Sequence, residues 1–406
     1  MHAVPDLLNY WKMTHLFPTR FRRKARPAFH YLALVLMLPP AASAQTKGPD
    51  QAIALEQQGK LPEAEQEWRR WLAANPKDAG AYASLGVLLS KESKYSEAAK
   101  AYRKALALNG ELPGIQLNLG LAEFKQNKFQ DAVDPFRSVL RSDPQNQQAR
   151  ILLGICYYAT GHFSEAVEHL SAASNADPDN VELHNLLAQS CLSGKKFECA
   201  LDEFHWLAAR NPDSPSVHIL VGQALDGLKR TDDAIAEFHI AAKADPNAPN
   251  VFFGLGYLYW KTGQYDEAAE NFEKQLAIDP DNPQALTYLG DVELKRNNLD
   301  KAKALLVHAV RLRQDIRYAY LDLGSVYTAQ KSYNDALRAL QQAEKLDPNQ
   351  IDVHFRLGTL YKEMGKSAES QKEFAKIRDL QKKVEDDLAD RMNSAKAPAP
   401  SSPDKN

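Results

Sequence analysis

Small and bulky apolar residues recur along this chain with a period of 34 residues, without insertion or deletion, from about residue 45 to about residue 385. One slot of the period holds Gly86, Gly120, Gly154, Ala188, Gly222, Gly256, Gly290, Gly324 and Gly358. Twelve residues later the slot holds alanine, as at Ala98 and Ala268, and a bulky residue follows four residues after that, as at Tyr102 and Phe272. Residues four apart share one helical face, so the pattern predicts closely packed helices in which small residues form sockets beside bulky knobs.

The ends of the helices are also marked in each period. A proline recurs in one slot, and because proline disfavours helical geometry in the residue before it, this slot predicts the end of a second helix. Its members are Pro76, Pro144, Pro178, Pro212, Pro246, Pro280 and Pro348. The turn between the two helices carries residues that tolerate the loop conformation common at helix ends, namely Gly59, Gly161, Gly263, Gly365, Asn127, Asn297 and Lys331. Each period therefore predicts a helix–turn–helix unit.

These slots resemble the tetratricopeptide repeat family, whose period and pattern they match. The match is carried in the second repeat by Tyr82, Leu85, Gly86, Ala98, Tyr102 and Ala105, and in the seventh by Leu255, Gly256, Tyr259, Ala268, Phe272 and Pro280. The resemblance implies an all-α fold, a right-handed superhelical solenoid of ten units. The predicted units are 45–78, 79–112, 113–146, 147–180, 181–214, 215–248, 249–282, 283–316, 317–350 and 351–384.

The first 44 residues have a different character. A basic stretch from Arg20 to Arg26 precedes an apolar run, and Ala42-Ser43-Ala44 follows before Gln45. This order is typical of a secretory signal peptide, and the apolar run is shorter than the roughly 20 residues that span a bilayer. We expect cleavage between Ala44 and Gln45, export to the periplasm or beyond, and no stable membrane span afterwards. An uncleaved anchor is the alternative, and translation could start at Met1 or Met13.

The sequence from Ser367 to about Met392 predicts one long polar helix that caps the last repeat. Residues 385–392 are the end of this capping helix. Residues 393–406 are rich in Pro, Ser and Ala, a composition typical of a disordered tail.

Composition and net charge help to exclude one class of partner, nucleic acids. The chain is 44% hydrophobic and 25% charged, as in ordinary soluble proteins. Removal of residues 1–44 would leave 44 basic and 51 acidic residues. This acidic balance argues against a nucleic-acid partner, which favours a basic surface.

Three cysteines occur, Cys156, Cys191 and Cys199. Cys191 and Cys199 flank the turn of the fifth repeat, so a disulfide across it is one interpretation for an exported chain. Burial of all three as small apolar residues is the other.

Candidate chemistry is sparse. The chain has no H-E-x-x-H, G-x-S-x-G or phosphate-binding glycine motif, so we expect neither an enzyme nor a cofactor. His184, His218 and His354 share the fourth position of their repeats, which Tyr82 and Tyr320 fill elsewhere. We interpret them as packing residues rather than metal ligands.

The resemblance implies a partner-binding groove lined by the first helix of each repeat, at repeat positions 2, 5, 9, 12 and 13. Carried onto this sequence, the groove residues are Leu117, Leu121, Phe124, Ile151, Ile155, Tyr158, Asn185, Gln189, Gln223, Phe253, Tyr257, Trp260, Lys261, Tyr318, Leu321 and Phe355. Ala83 and Val87 occupy slots where chaperone-binding members carry Lys and Asn, so this chain lacks their carboxylate-binding pair.

These observations predict a non-enzymatic adaptor that binds a peptide or a partner helix in the groove, in the assembly of a bacterial cell-envelope or secretion complex. Two alternatives remain open. The aromatic side chains could bind a glycan such as peptidoglycan, or the array could be the regulatory subunit of an enzyme on another chain.

Overall fold

The structure is a computed structural model that describes residues 48–396, with side-chain environments to residue 389. All regular structure in that range is helical, and the helices alternate as the first and second members of ten pairs. No helix within these residues has the length and apolarity needed to cross a membrane. The predicted signal peptide and the end of the tail, 397–406, lie outside the described residues.

The first helices of the ten pairs are α1 Pro49–Gln57, α3 Ala79–Lys91, α5 Ile115–Lys125, α7 Gln147–Ala159, α9 Val181–Ser193, α11 Pro215–Gly227, α13 Val251–Lys261, α15 Pro283–Lys295, α17 Arg317–Ala329 and α19 Ile351–Glu363. The second helices are α2 Leu61–Ala74, α4 Tyr95–Leu108, α6 Phe129–Ser142, α8 Phe163–Ala176, α10 Phe197–Arg210, α12 Thr231–Ala244, α14 Tyr265–Ile278, α16 Leu299–Leu312, α18 Tyr333–Leu346 and α20 Ser367–Lys396.

The glycine slot and the bulky slot of one repeat meet inside each helix pair. A Cβ atom added to Gly120 would come within 2.6 Å of the Phe136 ring, and one added to Gly154 within 2.7 Å of Leu170. Phe136 and Leu170 are completely buried. In the repeats that carry this glycine, it is the socket for the knob on the partner helix, which explains why a residue that weakens helices is used in mid-helix.

Each pair reverses direction through one residue in the left-handed region. All ten of these residues have φ between 58° and 80°, and six of them are not glycine. Asn127, Asn297 and Lys331 are among the six, which confirms the conformation predicted for that slot. The first helix ends at this point because a left-handed residue stops the helical hydrogen-bond ladder.

The turns between repeats follow the proline slot. Asp143 and Asp279, each directly before a proline, are extended, with φ near −130° and ψ of 84° and 87°. Three residues later an asparagine caps the next first helix: the side chains of Asn146 and Asn282 accept hydrogen bonds from backbone N–H groups of α7 and α15. Proline and asparagine together therefore set where one repeat stops and the next begins.

The chain forms two compact units, residues up to Leu207 and residues from Ala208 onward. Within the second unit, each second helix contacts the first helix of the next repeat. The first helices α11, α13, α15, α17 and α19 also contact one another in sequence. The first helices therefore form one continuous layer of this unit, and the second helices form the other.

The last helix is longer than predicted. It begins at Ser367 as expected but continues to Lys396, four residues past the predicted end at Met392. Residues 393–396 are thus helical, not part of a disordered tail. Ala395 and Lys396 have high helix propensity, which outweighs the effect of the neighbouring Asn393 and Ser394.

Candidate partner-binding surface

In the first unit, the predicted groove residues share one face of α5 and α7. Leu117, Leu121, Ile151 and Ile155 are all half-buried. They leave part of an apolar surface open along both helices, with no charged side chain at these positions.

Two aromatic side chains at the ends of these helices are held by their own repeats. Phe124 packs edge-on against Phe129, with ring centroids 5.4 Å apart, and Tyr158 packs likewise against Phe163 at 5.8 Å. Burial raises the pKa of the Tyr158 hydroxyl. Each contact bridges the turn inside a repeat, so both rings support the hairpin and expose only part of their surface.

The polar pair on α9 forms one internal hydrogen bond. The Gln189 amide donates to the Asn185 side-chain oxygen over 3.1 Å. Asn185 is exposed and Gln189 half-buried, so this pair offers its remaining donors and acceptors at the same face.

In the second unit, three predicted groove residues are buried and offer almost no surface to a partner. Phe253 is fully buried, Tyr257 is 6% exposed and Leu321 is 4% exposed. Phe253 and Tyr257 pack against Tyr288 of the next repeat, with centroids 5.9 and 5.6 Å apart. The neighbouring first helix thus covers positions that a single repeat would leave open.

Trp260 stays partly exposed and is fixed from three directions. Its indole N–H donates to Asp291 over 2.5 Å, and its ring packs edge-on against Tyr288 at 5.0 Å. Lys295 pairs with Asp291 and lies over the Trp260 ring, 5.8 Å from its centroid. A tryptophan held in this way keeps one orientation, which lowers the entropy lost when a partner binds it.

The remaining groove residues on α11, α13 and α17 are polar or amphipathic. Lys261 pairs with Asp226 over 2.6 Å, which joins two adjacent first helices. Gln223 is half-buried. Tyr318 is also half-buried and lies under the Arg317 guanidinium, 4.3 Å from the ring centroid.

Phe355 is the most accessible aromatic residue in this set, at 57% exposed. It borders a cleft of about 380 Å³ between α17 and α19. Small residues, Gly324, Ser325 and Ala329, line one side of the cleft, which Lys331, Tyr333, Arg356 and Glu363 also border. The ring rests edge-on against Phe374, 6.2 Å away, so it is supported from below while its outer face is open.

Residues at the sixth position of the repeat were missed by the sequence prediction. Tyr288, Asp322 and Arg356 share this slot. Tyr288 contacts Trp260, Arg356 borders the cleft beside Phe355, and the buried Asp322 interacts electrostatically with Asp291 and Arg356. Burial, and then the charge of Asp291, raise the pKa of Asp322 to about 8, while Arg356 and Lys295 act in the opposite direction. The sequence did contain a signal for these residues: the sixth position holds tyrosine, aspartate and arginine in three successive repeats.

The fifth repeat carries a disulfide between Cys191 and Cys199. Their Cα atoms lie 5.8 Å apart, inside the limit of about 7 Å for a disulfide. Cys156 remains a buried free thiol, and burial raises its pKa to about 12. The thiol is therefore protonated and unreactive at neutral pH.

Comparison with known families gives matches along most of the described chain. Models described as "Tetratricopeptide repeat" match residues 123–190 and 259–321, and residues 187–249 and 222–283. A model described as "TPR repeat" matches 324–365, and "Tetratricopeptide repeat protein 21 C-terminal ARM domain" matches 52–152. A search of curated proteins found no significant match.

Among solved structures, the chain is similar to a tetratricopeptide repeat protein from Parabacteroides merdae, with a TM-score of 0.50 at 17% identity. That match covers 60% of this chain and 97% of the other. Yeast Tom70 matches at 15% identity over 82% of this chain and 91% of its own, with a TM-score of 0.41. MamA from Desulfovibrio magneticus matches at 23% identity over 42% and 96%, with a TM-score of 0.39.

Proposed function

Because this chain belongs to the tetratricopeptide repeat family, we propose that it is a non-enzymatic scaffold that binds a protein along its first-helix face. The bound segment is an extended peptide or one helix of the partner. The observation that carries this proposal is Phe355, a large aromatic side chain that is 57% exposed beside a cleft lined with small residues.

The chemistry of the cleft favours a mixed apolar and acidic ligand. Gly324, Ser325 and Ala329 leave room for a side chain to enter beside the Phe355 ring, and Lys331 and Arg356 place positive charge at its edge. Exposed aromatic rings next to pockets and guanidinium groups are the usual centres of binding energy at protein interfaces. An apolar side chain would occupy the cleft, and a neighbouring carboxylate would meet Lys331 and Arg356, whose two positive charges exceed the single negative charge of Glu363 at the same cleft.

Trp260 provides a second contact point on the same layer of first helices. Its partly exposed ring is held by Asp291 and Lys295, so binding would not have to order it. In the first unit, the half-buried leucine and isoleucine side chains of α5 and α7 offer an apolar surface of their own.

We further propose that the protein is exported and acts in the assembly of a cell-envelope or secretion complex. The basic and apolar segments before Ala44 support export. The Cys191–Cys199 disulfide supports it independently, since structural disulfides persist mainly in oxidising compartments. Fractionation followed by N-terminal sequencing tests this step: the periplasmic protein should begin at Gln45, whereas a cytoplasmic protein beginning at Met1 or Met13 would refute it.

Site-specific photocrosslinking tests the binding surface. A benzophenone amino acid replaces Phe355 in one full-length variant and Ile240 in another. Ile240 is a suitable control because it is 45% exposed and lies on a second helix, α12. The proposal predicts that one protein crosslinks from position 355 and not from 240.

The same partner then provides the affinity measurement. Phe355→Ala should weaken binding of the purified partner by about tenfold or more, while Ile240→Ala leaves it unchanged. Equal crosslinking yields at both positions, or equal affinities of both variants, would place the interface elsewhere.

A further inference from the structure

Three histidines make the same pair of hydrogen bonds in three different repeats. In each case Nδ1 faces the carboxylate of a glutamate 19 residues later, on the second helix of the same repeat. The distances are 2.5 Å for His184 and Glu203, 2.6 Å for His218 and Glu237, and 2.8 Å for His354 and Glu373.

The other ring nitrogen faces the turn that precedes the repeat. Nε2 lies 2.9 Å from the Pro178 carbonyl oxygen in the case of His184, and 2.8 Å from those of Pro212 and Pro348 for His218 and His354. Each proline is the residue that marks the end of the preceding repeat. The imidazole therefore joins the inter-repeat turn to the second helix of the next repeat.

Both oxygens in each arrangement are acceptors. A neutral imidazole has one N–H donor and one lone pair, so it satisfies only one of them and points its lone pair at the other. Only the doubly protonated ring donates to both. The chemistry of the two partners thus selects the imidazolium form at all three sites.

In the sequence, this histidine occurs only in repeats that also carry the partner glutamate. Glutamate stands at the twenty-third position of the repeat only in repeats one, five, six and ten, and histidine stands at the fourth position only in repeats five, six and ten. The first repeat has Gly48 at its fourth position. In the fourth repeat, Arg150 fills the slot and its guanidinium donates to the Pro144 carbonyl, which shows that the slot accepts a permanent cation in the same role.

We propose that His184, His218 and His354 are proton-binding clamps, each of which holds the turn that precedes its own repeat, the fifth, sixth or tenth. Loss of one proton from the imidazolium releases one end of the clamp. A clamp here means the histidine, the glutamate 19 residues later and the carbonyl of the proline six residues earlier. If the proton leaves Nδ1, the ring lone pair faces the carboxylate. If it leaves Nε2, the bond to the turn is lost.

The surroundings of His218 make it the clearest site. The charged groups that face it are Glu237 on α12 and Asp213 in the preceding turn. Burial by itself lowers the pKa of His218, but the hydrogen bonds to Glu237 and the Pro212 carbonyl, with the two negative charges, outweigh burial and leave the pKa above its usual value. This ring therefore holds its second proton more tightly than an ordinary histidine does, which keeps the clamp closed to a higher pH.

His354 and His184 differ in their neighbours. His354 is 2% exposed, and its Nδ1 lies 3.9 Å from a second carboxylate, that of Glu344. Lys376 donates to both Glu344 and Glu373, over 2.9 and 3.0 Å. For His184, the ring stacks on Trp206 at 3.7 Å, and the hydroxyl of Ser174 lies 3.3 Å from Nε2.

The three ligand atoms of Glu344, His354 and Glu373 lie within 4.8 Å of one another, a spacing that a metal ion could also use. Two observations favour the proton. The ammonium of Lys376 already balances both carboxylates, and the other two clamps have the same geometry around a single carboxylate.

Proton occupancy is measured directly by NMR of the full chain labelled with ¹⁵N in the histidine rings. At pH 6, His218 should show two ring N–H protons and imidazolium nitrogen shifts, with a titration midpoint above the ordinary histidine value of about 6.5. Glu237→Gln keeps an acceptor but removes the charge, and should lower that midpoint by about one pH unit or more.

Asp281→Asn is the matched control, because Asp281 pairs with His308 at the surface, where both side chains are exposed. Asp281→Asn should leave the His218 ring signals and their titration unchanged. A neutral single tautomer at His218 near pH 6, or a midpoint that Glu237→Gln leaves unchanged, would overturn the proposal.

Zinc separates the proton from a metal ion at the third site. One equivalent of Zn²⁺ should leave the His354 ring signals unchanged. A stoichiometric change in those signals that Glu344→Gln abolishes would overturn the proton assignment at His354.

Discussion

Gly256 lies directly against the ring of Phe272, its counterpart on the other helix of the same repeat. A Cβ atom at position 256 would come within 2.7 Å of the ring, and Phe272 is completely buried. A side chain at position 256 would thus overlap a buried ring, so the glycine is favoured by this contact and not by its backbone conformation.

Gly256→Ala should therefore lower the free energy of unfolding by about 1–3 kcal/mol, the usual cost of overpacking a core. Urea denaturation of the full chain measures it. Gly80→Ala in α3 is the control, since a Cβ there meets only the Asp78 side chain at 3.4 Å. That control should gain up to about 1 kcal/mol from helix propensity, and a loss equal to that of Gly256→Ala would contradict the packing explanation.

Substitutions at two left-handed turn residues should change stability in opposite directions. Lys229 has φ of 63°, so Lys229→Gly should raise the free energy of unfolding by about 0.5–1 kcal/mol through relief of backbone strain. Gly263 has φ of 80°, and a Cβ atom added there would meet no other atom within 4 Å. Gly263→Ala should lower stability by about 1 kcal/mol, because the cost comes from the backbone conformation alone. Effects of the same sign in both variants would exclude a backbone origin.

The buried Asp322 carboxyl should make the free energy of unfolding depend on pH. Burial raises its pKa to about 8, whereas the unfolded chain has the ordinary value near 3.9. Folding therefore takes up a proton between these values, and the stability of the protein falls as the pH rises through this window. Asp322→Asn, which mimics the protonated carboxyl, should make the free energy of unfolding less dependent on pH between 5 and 8.

The comparison for that experiment is Asp232→Asn, because Asp232 is exposed on α12. Its pH profile should follow that of the unmodified protein. Parallel profiles for all three proteins would show that Asp322 does not hold the proton.

The disulfide predicts a redox effect on stability. Reduction of the Cys191–Cys199 bond opens a short loop, and a loop of this length contributes about 2 kcal/mol by restricting the unfolded chain. Dithiothreitol should lower the midpoint of urea unfolding accordingly. In a Cys191→Ser, Cys199→Ser double variant, which retains only the buried Cys156 thiol, dithiothreitol should have no effect.

The repeat architecture was predictable because its determinants are local. A glycine in mid-helix, a bulky residue 16 positions later and a left-handed turn between them lie within one 34-residue period. Asn127 and Lys331 adopt the conformation expected of their slot for this reason.

The candidate site was harder to predict because exposure depends on the neighbouring repeat. Phe253 and Tyr257 occupy groove positions in their own repeat, but Tyr288 of the following repeat covers them. The histidines were predicted as packing residues, and their second role was missed because the glutamate partners lie 19 residues away on another helix. Neither contact follows from the position of one residue within one period.

The contact between each glycine and its bulky counterpart is contained within a single period, and this has a genetic consequence. A duplicated 34-residue segment brings its own socket, its own knob and its own turn. Recombination can therefore add or delete whole units without disturbing the pairs that remain. The number of repeats can therefore change in evolution while the packing inside each remaining repeat is kept.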